Sequence, residues 1–117
     1  MRSRPLRESG YWLLQRSKVI AEFDDDGGDQ PWHHARLAGS SEGFQEVRRE
    51  LAELRDSQRD VETLVRDMRA LHRRLGLRLV VWPQGWKVRR FTLWVKEDGT
   101  ASVRYQPPLG YVLRHWW

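Results

Sequence analysis

His33 and His34 follow a run of acids, Asp24, Asp25, Asp26 and Asp29. Imidazole and carboxylate groups together form a donor set for zinc or calcium. Adjacent side chains on a strand point to opposite faces, however, so the two histidines cannot both reach one ion there. No HxH or HxxxH spacing is present. The segment reads as a solvated turn followed by surface histidines, with no metal site and no cofactor. Nucleophilic chemistry finds no better footing. The chain has no cysteine, which removes a thiol nucleophile and any thiolate metal site. HExxH and Gly-rich phosphate loops are missing. The carboxylates lie mostly on a helical stretch among arginines, where Glu62 and Arg66 form a helix-supporting i,i+4 pair. The inventory predicts a protein that binds and is not an enzyme.

The residues that suit binding lie near the C-terminus. Two strands, 86–96 and 100–106, flank Glu97-Asp98-Gly99, and a three-residue loop puts Gly99 at the left-handed position of a bulged turn. That register sets Val95 opposite Ala101, Leu93 opposite Val103 and Phe91 opposite Tyr105. One face is then wholly apolar, whereas the two-residue alternative mixes the faces, a slip penalised wherever one side is buried. The other face gathers Arg90, Thr92, Trp94, Lys96, Ser102 and Arg104. Trp and Arg are the residue types that dominate binding hot spots. With Arg89 beside them, Arg90, Trp94, Lys96 and Arg104 are the candidate partner-binding residues. Bases stacking on Trp94 with phosphates on the cations would also suit single-stranded nucleic acid. The alternative is that Trp94 packs beneath a neighbouring element, with Arg stems over its ring.

The element that must carry this face is a long amphipathic helix. Over 42–75, Phe44, Val47, Leu51, Leu54, Val61, Val65, Met68 and Leu75 recur at alternating three- and four-residue spacings. Ser40 or Ser41 suits the start and Gly76 the end. Written as heptads, these residues form a seam that Gln58 and His72 interrupt, the pattern of a coiled coil. A continuous helix of this length would span about 50 Å, more than a domain of this size can cover. Either it breaks within Asp56-Ser57-Gln58-Arg59-Asp60 or it self-associates. With no Gly or Pro there, the continuous helix is the expectation, with Phe44, Val47, Leu51, Leu54, Val61, Val65 and Met68 as the homo-oligomer contact. His72 on that seam would be a partly buried histidine.

The remaining pattern completes an α+β fold in one domain over 1–117. Strands and loops occupy 1–41, the helix 42–75, and an antiparallel meander 77–117. Residues 11–23 read as a strand pair turning at 15–18, and a short strand is expected near 32–37. Residues 77–82 are a strand, Pro83-Gln84-Gly85 a turn, and Tyr111 to Trp117 a last short strand or helix, with Trp116 and Trp117 packed back on the sheet. The net charge is +5. The excess falls in the last third, where Arg78, Lys87, Arg89, Arg90, Lys96, Arg104 and Arg114 face only Glu97 and Asp98. Such a field biases the protein towards anionic partners. No apolar run approaches the ~20 residues of a membrane span, which points to a soluble, cytoplasmic protein without a membrane partner.

Val19-Ile20-Ala21-Glu22-Phe23 ahead of an Asp/Gly turn, a long helix, then Trp86, Phe91-Thr92-Leu93, Glu97-Asp98-Gly99 and Tyr105 resembles the YezG-like immunity proteins. The best-matching stretch is roughly residues 64–106. Gln106-Pro107-Pro108 stands where that family carries an acidic stretch. The resemblance implies a non-enzymatic inhibitor that binds a cognate bacterial toxin, often a nuclease. Two other readings stay open: a nucleic-acid-binding regulator, and a coiled-coil subunit of a larger assembly.

Overall fold

The computed structural model describes residues 9–28, 32–57 and 60–106. The chain opens with a hairpin of β1 (Gly10–Gln15) and β2 (Lys18–Asp25). Arg16 and Ser17 form its turn, both at positive φ, 50° and 71°. Two left-handed central residues give the turn a twist that matches the flanking strands. β3 (His33–Ser40) pairs antiparallel with β2 and extends beyond the short strand expected there. Two helices follow, α1 (Glu42–Arg55) and α2 (Val61–Leu75). Four strands complete the described chain: β4 (Leu77–Trp82), β5 (Trp86–Val88), β6 (Phe91–Val95) and β7 (Thr100–Tyr105).

The fold is α+β with a curled antiparallel sheet, in the order β5-β4-β1-β2-β3-β7-β6. The expected C-terminal meander is therefore corrected. Segment 86–96 is not one hairpin arm but divides at Arg89 and Arg90. β5 pairs with β4 at one margin, and β6 pairs with β7 at the other. The N-terminal strands fill the space between them, through the pairings of β1 with β4 and β3 with β7. Local turn signals name the neighbour in sequence and carry no information on these distant partners. Only two residues separate Val88 from Phe91. Three Cα steps span at most ~11 Å, so the two margins must approach each other at that corner. Bulges between Leu13 and Leu14, and between Glu22 and Phe23, add the local twist that curling requires.

The expected continuous helix is also corrected. α1 closes at Asp56, and α2 begins after Asp60, whose carboxylate accepts hydrogen bonds from the Thr63 N–H and hydroxyl, each at 2.9 Å. A side-chain cap can start a helix without Gly or Pro to mark the break. Each helix is then about 21–23 Å long, which fits a body 39 Å in its longest dimension. Gly76 ends α2 at φ +67°, and its carbonyl accepts the Arg16 N–H at 2.9 Å. Gln58 lies outside the described residues, as do Tyr111 to Trp117 with the expected packing of Trp116 and Trp117.

The seam faces inward. Phe44, Val47 and Leu51 are buried in the chain's own core against the sheet, with Phe23 and Phe44 in edge-to-face contact at 6.1 Å. Leu54 packs against the same core, and Met68 is buried on α2. Phe44, Val47, Leu51 and Met68 are therefore spent inside the chain's own core and not on a homo-oligomer contact, because a curled sheet supplies the apolar surface that a second helix would otherwise provide. His72 follows the same course: it is 5% exposed and stacks on Phe91. No helix among the described residues is long and apolar enough to cross a membrane.

Candidate binding cleft

The β6–β7 register is the one the apolar face requires: Phe91 opposite Tyr105, Leu93 opposite Val103, Val95 opposite Ala101. Gly99 sits at φ +91°, and the Asp98 carboxylate accepts the Thr100 N–H and hydroxyl. These bonds hold the Asp98 carboxyl below its usual range. Leu93, Val103 and Ala101 face the core, so alternation turns Thr92, Trp94, Ser102 and Arg104 outward. Trp94 is half-buried and Arg90 and Arg104 are exposed.

A cleft of about 410 Å³ opens beside this hairpin. One wall comes from α2, where Val61, Val65 and Met68 recur at i, i+4 and i+7 on a single face, joined by Leu64. Val61, 76% exposed, is the large hydrophobic side chain most open to solvent among the described residues. Arg69 borders this wall. The opposite wall carries Arg90, Thr92, Trp94 and Arg104. Trp32 closes the cleft: it precedes His33, which pairs with Val103, and so it lies alongside Arg104.

The charge of the cleft is one-sided. Among the described residues its charged groups are Arg69, Arg90 and Arg104, and no carboxylate lines it. None of the three takes an ion pair among the described residues, whereas Arg36, Arg66 and Arg74 engage Asp26, Asp67 and Glu50 elsewhere. Guanidiniums of this kind can accept carboxylate or phosphate groups through paired N–H donors.

Of the residues expected to bind a partner, the structure brings Arg90, Trp94 and Arg104 together. Arg89 and Lys96 are exposed but lie outside the cleft, and the Lys96 carbonyl accepts a hydrogen bond from the Arg48 guanidinium. Val61, Val65 and Met68, expected on a self-association seam, line the cleft instead. Trp32 and Arg69 escaped the sequence reading. The signal for Trp32 is the β3–β7 pairing, which joins residues some seventy positions apart and leaves no local trace.

A second cluster lies on the concave side. His33 stacks on Tyr105 at 5.2 Å, and Tyr11 meets Tyr105 edge-on at 6.1 Å. Burial, with the charge of Asp25, pushes the Tyr11 hydroxyl well above the usual tyrosine range. His34 is exposed on the other face, as strand alternation requires. Among the described residues no group of three His, Cys, Asp or Glu is placed to hold a metal ion. Compared with protein-family models, curated proteins and solved structures, the chain shows no significant match to any of them.

Proposed function

We propose that the chain is a non-catalytic binding protein that captures an acidic protein partner in the cleft between α2 and the β6–β7 hairpin. The observation that carries this reading is the lining itself: among the described residues it holds three arginines outside any ion pair, two tryptophans, an aliphatic helix face, and no carboxylate. Desolvated aromatic and arginine side chains supply most of the energy at protein interfaces. The aliphatic wall favours protein over nucleic acid. Bases stack on open aromatic faces along a phosphate track, and Val61, Leu64 and Val65 offer neither. The resemblance to immunity proteins gives the reading its most concrete form, an inhibitor that neutralises a toxin through an acidic surface.

Affinity capture tests it. A tagged chain is passed through extract of its native cells beside the triple variant Arg69→Glu, Arg90→Glu, Arg104→Glu, with and without nuclease. The expected result is an acidic protein held by the parent, absent from the variant and indifferent to nuclease. Retention that nuclease abolishes, or that the variant preserves, overturns the reading.

A further inference from the structure

We infer that the partner presents to this cleft a short acidic segment in which one apolar side chain is bracketed by carboxylates. The inference rests on the acidic-partner reading and goes further, because cations come from both walls of a cleft that also holds exposed apolar surface. Arg69 stands on the α2 side, and Arg90 and Arg104 stand on the hairpin side. Val61 and Val65 share the α2 face with Arg69, eight and four residues before it, and Val61 is 76% exposed. An apolar group seated against Val61 and Val65 therefore shares the cleft with Arg69 on the helix and with Arg90 and Arg104 on the hairpin side. A segment that was acidic alone would leave the aliphatic wall wet, and one that was apolar alone would leave three cations facing its backbone without counter-charge. The complement of both is an apolar anchor with carboxylates before and after it. A second copy of this chain is a poorer occupant: Glu50 is already engaged by Arg74, and two such clefts facing each other would oppose arginine to arginine.

Labelled ten-residue peptides read by fluorescence anisotropy against the full chain test this. One carries a central leucine flanked by glutamates. A second replaces the glutamates with glutamine, a third replaces the leucine with serine, and a ten-nucleotide oligothymidylate is the fourth probe. The expected result is that the first binds at least about ten-fold tighter than the others. Both Val61→Asp and Arg90→Gln then weaken it about five-fold or more while the chain keeps its circular dichroism spectrum. Equal binding of the serine or glutamine peptide overturns the inference, as does tighter binding of the oligothymidylate. Dimerisation of the chain through the cleft, abolished by Val61→Asp, overturns it too. If the peptides fail while arginine-dependent capture of an acidic protein persists, this inference falls and the broader partner reading stands.

Discussion

The His72 imidazole lies over the Phe91 ring, with centroids 4.4 Å apart and planes within 22° of parallel. This contact joins α2 to the edge strand β6. The His72 Nε2 is buried and has no hydrogen-bond partner among the described residues. Burial of this ring lowers the His72 pKa from 6.5 to about 4.

The sign of the resulting pH dependence follows. Between about pH 4 and 6.5 the unfolded chain protonates His72 while the folded chain keeps it neutral. Stability therefore falls as pH drops through that window, by about 3 kcal/mol in all. His72→Phe should retain the stack and lose this part of the slope. Melting temperatures at pH 7.5 and 4.5 for parent and variant check it. An equal fall in both would assign the slope to other groups.

Gly76 tests the end of α2. A Cβ there would meet the Arg16 Cγ at 2.8 Å, on a backbone at φ +67°. Gly76→Ala should cost about 1–2 kcal/mol in urea denaturation. Gly43 in the first turn of α1 is the contrast, since its added Cβ meets only the Ser41 Oγ at 3.9 Å. Gly43→Ala should be neutral or gain about 0.5–1 kcal/mol.

Leu51 and Val61 separate a coiled-coil seam from a monomer core. Leu51 is buried under the sheet and Val61 is exposed. Leu51→Asp should unfold the chain, because a charge in that core has no partner. Val61→Asp should leave stability within about 0.5 kcal/mol. Sedimentation paired with circular dichroism reads both. A folded Leu51→Asp chain of halved mass would restore the seam.

The three cleft arginines should contribute nothing to folding. Like charges that share one cleft with no carboxylate among the described residues repel each other. Arg69→Gln, Arg90→Gln, Arg104→Gln combined should melt no lower than the parent in scanning calorimetry, and the parent alone should gain stability with added salt. A clear drop in the triple variant would show that these side chains hold the fold.

What was legible in the residues was local. The turn at Glu97-Asp98-Gly99 and the alternation of Phe91, Leu93 and Val95 set a register that the structure keeps. The helical periodicity also holds over most of 42–75. The division at 56–60 carries no Gly or Pro to mark it, because Asp60 achieves it with a side-chain cap. The strand order was missed because β1–β4 and β3–β7 join segments on either side of the helices, and periodicity is blind to such distances. The cleft was half seen. Arg90, Trp94 and Arg104 share a strand face that alternation reveals, whereas Trp32 and Arg69 reach it only through tertiary placement.

The two-residue link between β5 and β6 ties the first strand of the sheet to the last. Neither outer strand can slide or peel without dragging the other, so the sheet behaves as a hoop fastened by Arg89 and Arg90. A protease that cuts after either arginine would unfasten it, freeing two strand borders that the intact chain keeps close together.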